Sequence, residues 1–189
     1  MHIGLYFGSF NPIHVGHLII AAHIINLEAV DKVWFVVSPQ NPLKVSNTLL
    51  NEYHRLHLVR LAIGDNNHFA ASDAEFHLPK PSYTIDTLTH LSEKHPQHQF
   101  SVIMGSDSFQ NGPKWKNWQA ILKHYQVLVY QRPGFAVDAV PQNVRVLDAP
   151  LLQISATHLR ELIRSKKSIK YLVPDVVEAE IMRERYYSK

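Results

Sequence analysis

A chain of 189 residues with 46% hydrophobic and 19% charged content is long enough for one domain with a sizeable core, and no composition break divides it. With no cysteine, a thiol nucleophile, a thiolate zinc site and a disulfide framework are excluded. A net charge of +3 suits small polyanionic substrates, while no dense Lys/Arg block points to nucleic acid and no apolar run reaches the roughly 18 residues that cross a bilayer.

Residues 1–7 read as a strand, followed by a tight loop and a very apolar helix over residues 17–29. Residues 32–37 (KVWFVV) are β-branched and aromatic, hence a second strand, after which Pro39 and Pro42 force a loop to about Leu50. Residues 51–62 carry a helical pattern with Tyr53, Leu56 and Val59 toward the core. A short strand at 69–72 and a turn at Pro79 and Pro81 lead to a helix over 84–94, with Ile85, Leu88 and Leu91 at spacing three. Residues 100–105 and 126–130 are strands on either side of a short helical region at 115–124, and 144–147 is the last strand. Helices over 155–165 and 174–186 close the chain. Strands alternating with helices predict an α/β fold with a doubly wound parallel sheet. Ligands of such sheets bind at the carboxyl ends of strands, where residues 8–17, 38–44 and 105–107 fall together.

The most informative stretch is Gly8-Ser9-Phe10-Asn11-Pro12-Ile13-His14-Val15-Gly16-His17, which sets two imidazoles three residues apart where a helix begins. Helix N-termini present unpaired amides and partial positive charge, so they attract phosphate. The same field disfavours imidazolium, which predicts neutral histidines acting as hydrogen-bond donors. Gly8 and Gly16 remove side chains where a backbone or a ligand comes close. Neither G-x-G-x-x-G nor G-x-x-x-x-G-K-[ST] is present, and HxxH without a further ligand in register does not specify zinc. The stretch therefore reads as a nucleotide phosphate site at the first βα turn, with two cap and loop histidines as the competing reading.

The same stretch resembles the signature of the nucleotidyltransferase superfamily that carries an (H/T)xGH motif, whose fold is Rossmann-like. Ser82-Tyr83-Thr84-Ile85-Asp86-Thr87-Leu88, Gly105-Ser106-Asp107, Lys114-Trp115 and Ile154-Ser155-Ala156-Thr157-His158-Leu159-Arg160 follow in that order. Together they are similar to the bacterial nicotinate mononucleotide adenylyltransferases of NAD biosynthesis, from residue 3 to about residue 175. The resemblance implies a single nucleotidyltransferase domain over 1–189, its C-terminal helical part from about 155 packed on the rest. It implies ATP and nicotinate mononucleotide as substrates and Mg²⁺ bound through the ATP phosphates, with no metal ligands on the protein. The composition gives the expectation of a cytoplasmic enzyme with no nucleic-acid or membrane partner, and leaves room for a homo-oligomer.

Adenylyl transfer brings one anionic phosphate onto another, so positioning and charge neutralisation dominate and no side-chain nucleophile or general base is required. By resemblance, His14 and His17 face the triphosphate, His17 at the α-phosphate. Gly8, Ser9, Phe10 and Gly16 line the nucleotide through the loop, and Gly105 with Asp107 meets the ribose or the metal-bound nucleotide. Lys44 reaches the β- and γ-phosphates from a proline-stiffened loop, in which Asn41 and Leu43 depart from the family's PPHK-like sequence. Arg160 clamps the leaving pyrophosphate, with Ser155 and Thr157 beside it at a helix start. Ser155 is equally a good N-cap, and Ala156 stands where the family usually has Ser. Thr84 with Ser82 and Tyr83 holds the nicotinate carboxylate and Trp115 stacks on its ring, against a reading of Thr84 as a cap and Trp115 as core. Rival functions are phosphopantetheine or nicotinamide mononucleotide adenylyltransferase, or a nucleotide-binding regulator without turnover.

Overall fold

The computed structural model describes residues 1–40, 48–138, 140–150 and 153–188. Runs such as KVWFVV and QVLVY are apolar on both sides of the strand, which suits a parallel sheet covered on both faces. Six strands form that sheet: β1 (His2–Gly8), β2 (Lys32–Val37), β3 (Phe69–Ser72), β4 (Gln99–Gly105), β5 (Gln126–Tyr130) and β6 (Val144–Leu147). All pairings are parallel, in the order β3-β2-β1-β4-β5-β6. β1 lies at the centre, Leu5 standing opposite Trp34 on one side and Val102 on the other.

The helices are α1 (Val15–Asn26), α2 (Glu52–Ile63), α3 (Thr84–Lys94), α4 (Ser106–Gln110), α5 (Trp118–His124), α6 (Ala156–Arg164) and α7 (Asp175–Glu184). One sheet face packs Tyr6, Phe35, Ile103 and Leu128 against Ile24 of α1, Val59 of α2, Leu159 of α6 and Ile181 of α7. The other packs Leu5, Val36, Val102 and Val129 against Leu88 of α3 and Trp118 and Ile121 of α5. This is the Rossmann-like doubly wound α/β architecture that the alternation of elements predicts. Strand order reverses at β1, so connections leave β1 and β4 toward opposite faces, and a crevice opens at the carboxyl ends of these two strands. No helix among the described residues is long and apolar enough to cross a membrane.

Several boundaries differ from the sequence reading for local reasons. α1 starts at Val15 rather than 17, because His14 is extended (φ −146°, ψ 169°) and caps the helix. His17 is thus the third helical residue. α1 ends at Asn26 rather than 29, and Glu28 then takes a left-handed φ of 50°. α5 starts at Trp118 rather than 115, since Asn117 is left-handed (φ 53°) and a 3-10 turn occupies Gly112–Lys114. Left-handed Arg185 stops α7 at Glu184, short of 186. α4 and the 3-10 turn Ala74–His77 are too short to show helical periodicity in sequence.

Candidate active site

β1 ends at Gly8, and the loop behind it delivers His14 and His17 to the crevice. The two rings stack with centroids 3.7 Å apart and planes at 27°. The His14 amide donates to His17 Nδ1 at 3.3 Å. A ring that accepts at Nδ1 while neutral carries its proton on Nε2, so His17 presents a donor there. Burial lowers His14 to a pKa of about 4, with Arg132 adding to the effect. Burial also holds His17 well below the ordinary histidine value, followed by His14 and Arg132. Neutral imidazoles are what the sequence predicts, but desolvation rather than the helix dipole is the leading cause. The helix terminus itself is partly engaged, since the Val15 amide donates to Leu172 O and the His17 amide to His14 O, each at 3.0 Å.

Around these rings lies a cavity of about 320 Å³ lined by Tyr6, Gly16, Tyr130, Arg132 and Ser155 as well as His14 and His17. Arg132 was absent from the sequence reading. Its Nη1 lies 3.4 Å from Asp107 Oδ2, its guanidinium 5.6 Å from the Tyr130 ring centroid, and its amide donates to Ser106 Oγ at 2.8 Å. It places a permanent positive charge beside two neutral donors, a suitable arrangement for phosphate. Its position just past the carboxyl end of β5 is the signal that could have found it. Beneath it, Tyr6 OH donates to Tyr130 OH at 3.2 Å, and burial raises Tyr6 so that it stays protonated.

The glycines of the loop make room for neighbouring side chains. A Cβ on Gly8 would stand 2.9 Å from the Phe10 ring, and one on Gly16 3.1 Å from His14 Nδ1. Phe10 has a left-handed φ of 43°, and its side chain is buried against Tyr6, Phe35 and His17. It floors the site from below, so only its backbone is placed to meet a nucleotide. Ser9 contributes its carbonyl to Arg55 Nη1. Gly105 caps α4, and Asp107 in the first turn is the partner of Arg132.

Ser155 caps α6, its Oγ accepting from the His158 amide at 3.2 Å, and it also lines the cavity. Arg160 donates from Nη1 to Asn11 O at 2.7 Å and from Nη2 to Thr157 Oγ1 at 3.2 Å. Arg160 thus reaches the first loop from α6 and lies outside the residues lining the cavity. Lys44 falls outside the described residues.

The residues expected to hold nicotinate gather on the opposite sheet face, at the start of α3. Tyr83 is the N-cap and Thr84 the first helical residue, so Thr84 is not the cap. Trp115 is half-buried with its ring centroid 5.8 Å from that of Trp118, which is core. Lys116 links the two segments, with Nζ 4.8 Å from the Tyr83 ring centroid and 2.9 Å from Asp86 Oδ2. Ser82 departs from the sequence reading, because its buried hydroxyl gives its proton to Glu75 Oε2 at 2.8 Å and so is not a free donor for a carboxylate. Thr87, in the first turn of α3, is also buried and donates to Glu75 Oε1 at 3.1 Å. Burial raises Glu75, while hydrogen bonds from Ser82, Ser38 and Thr87 favour its ionised form. Glu75 thereby fixes the segment that precedes α3. Nothing in sequence marks it, since Ser82 and Thr87 are 7 and 12 residues away across a turn and Ser38 lies just past the end of β2.

A family model described as Cytidylyltransferase-like matches residues 5–162. A protein named probable nicotinate-nucleotide adenylyltransferase from Cytophaga hutchinsonii is 52% identical, covering 100% of this chain and 99% of its own. One of the same name from Flavobacterium psychrophilum is 47% identical, with 100% of both chains covered. Solved structures of Plasmodium falciparum nicotinic acid mononucleotide adenylyltransferase, complexed with NaAD and with APC, share the fold at TM-scores of 0.83 and 0.82. They are 22% and 21% identical, over 98% of this chain and 97% and 96% of theirs.

Proposed function

Since the chain belongs to the nicotinate-nucleotide adenylyltransferases, within the cytidylyltransferase-like family, we propose that it transfers the adenylyl group of ATP to nicotinate mononucleotide, giving nicotinate adenine dinucleotide and pyrophosphate. A phosphate oxygen of the acceptor forms the new bond to the α-phosphorus. The bond from that phosphorus to the α,β-bridging oxygen breaks, and pyrophosphate departs with the electron pair. The observation that carries the mechanism is the His14 amide held on His17 Nδ1, which leaves Nε2–H as a donor in a cavity shared with Arg132. His17 stabilises negative charge growing on the α-phosphate oxygens, and neither imidazole need gain or lose a proton. His14 and Arg132 complete the phosphate contacts, and the backbone of Gly8, Ser9, Phe10 and Gly16 frames the nucleotide.

Arg160, Ser155, Thr157 and Lys44 act on the β- and γ-phosphates, and Asp107 on the nucleotide. Thr84, Tyr83 and Trp115 receive the nicotinate from the other side of the sheet edge. Mg²⁺ enters as part of the MgATP substrate, held by triphosphate oxygens and water, since it dehydrates reluctantly. Both substrates are water-soluble nucleotides, and we place the reaction in the cytoplasm.

The test is pyrophosphate release from MgATP with nicotinate mononucleotide, nicotinamide mononucleotide and phosphopantetheine as acceptors. Nicotinate mononucleotide should be preferred. His17→Ala should lower kcat by about 10²–10³, as loss of one preorganised donor does, with an unchanged circular dichroism spectrum. No release with any acceptor would overturn the assignment, and an active His17→Ala variant would remove His17 from the mechanism.

A further inference from the structure

Arg55, on α2, is fully buried, yet no carboxylate among the described residues lies within ion-pair distance of it. Its guanidinium donates to main-chain carbonyls instead: Nε to Leu50 O at 2.7 Å, Nη1 to Ser9 O at 2.5 Å and Ser38 O at 2.8 Å, and Nη2 to Pro39 O at 3.0 Å. Ser9 lies on the loop that leads to His14. Ser38 and Pro39 follow β2, and Leu50 precedes α2. One side chain therefore ties the first βα loop to both ends of the second one.

Neighbouring contacts tighten the same junction. The Leu50 amide donates to Asn11 Oδ1 at 3.1 Å, and Asn11 Nδ2 donates to Thr48 O at 3.0 Å. Asn11 O accepts from Arg160 Nη1 at 2.7 Å. Arg55 and Arg160 thus grip the carbonyls of one short loop from two different helices. A buried cation without a countercharge is costly, and an apolar residue of similar size commonly fills such a volume at least as well. The planar guanidinium can span four carbonyls in fixed directions, which lysine's compact ammonium cannot.

We propose that Arg55 is a positioning residue for adenylyl transfer, holding the histidine-bearing loop in register with the loop that follows β2. The proposal rests on the functional reading given above. Small displacements of reacting groups can cost about 10²-fold in rate, so the register matters for turnover as well as for folding. No hydrogen bond among the described residues joins Arg55 directly to Tyr83, Thr84 or Trp115; the link runs through Ser38 and Glu75, so the loss should fall mainly on kcat.

The experiment compares the full-length protein with Arg55→Lys and Asn11→Ala, the second loosening the same junction from the loop side. For the folded fraction, kcat should fall by about 10- to 100-fold in Arg55→Lys. KM for nicotinate mononucleotide should stay within about twofold. Amide exchange at residues 9–14 and 48–50 should quicken about tenfold, with β5 amides unchanged. Asn11→Ala should reproduce the local exchange pattern and part of the kcat loss. Normal kcat in a folded Arg55→Lys, or exchange that quickens uniformly, would overturn the proposal. So would an Arg55→Lys that does not fold beside an Asn11→Ala that behaves as the parent. If the parent protein releases no pyrophosphate, the functional reading fails, and the exchange pattern still decides whether Arg55 holds the two loops.

Discussion

The depressed histidines make acid stability the sharpest physical test of the site. His14 titrates near about 4 in the folded chain and near about 6.5 once unfolded. Between those values the unfolded chain binds more protons, so stability rises with pH through this window and is lost as pH falls through it. Linkage for this one ring, from about pH 7 to about pH 4.5, amounts to roughly 2 kcal/mol. At this chain length that corresponds to a drop in Tm of roughly 4–8 °C. Replacing His14 with Gln keeps a polar side chain but removes the titration. The assay is urea unfolding across that pH range for both proteins, followed by intrinsic fluorescence. The parent's loss of stability toward acid should exceed the variant's by roughly 2 kcal/mol. His17 is lowered in part by His14, on which it stacks, so the difference reports His14 together with its coupling to His17. Equal pH dependences would mean that His14 protonates as it does in water, and the account of a neutral, desolvated ring beside Arg132 would fail.

Two further consequences follow from the site's two sides. Trp115→Ala removes a half-buried indole beside the α3 terminus and should raise KM for nicotinate mononucleotide by about 5- to 100-fold, as loss of ring stacking does, with KM for ATP within about twofold. Steady-state kinetics with each substrate varied would show it, and equal rises in both constants would refute it. Gly8→Val drives a branched side chain into the Phe10 ring, which a Cβ alone already approaches to 2.9 Å, and should destabilise the fold by about 1–3 kcal/mol. A melting curve that matches the parent's would show that Phe10 can move aside.

How far the sequence reaches is clearest in the first loop. The GSFNPIHVGH stretch, the apolar runs on either side and the strand–helix alternation are local patterns, legible without a structure. They were enough to place His14 and His17 at the carboxyl edge of a doubly wound parallel sheet. The same reading put the helix start two residues late, because His14 becomes the cap only when its amide finds His17 Nδ1. It also assigned neutral imidazoles to the helix field, because burial cannot be read from a motif.

The family resemblance groups Ser82 with Tyr83 and Thr84 at the nicotinate, whereas the fold turns its hydroxyl to Glu75. Arg132 and Arg55 carry no motif at all. Arg132 meets Asp107 across 25 positions of sequence, and Arg55 meets Ser9 across 46. By itself the sequence determined which segments become strands and helices and where a phosphate-binding loop stands, since alternation, helical spacing and turn residues act over a few positions. Only the tertiary structure decided which distant side chains close around that loop and which protonation states they hold, since desolvation and carbonyl recognition arise when remote segments are packed together.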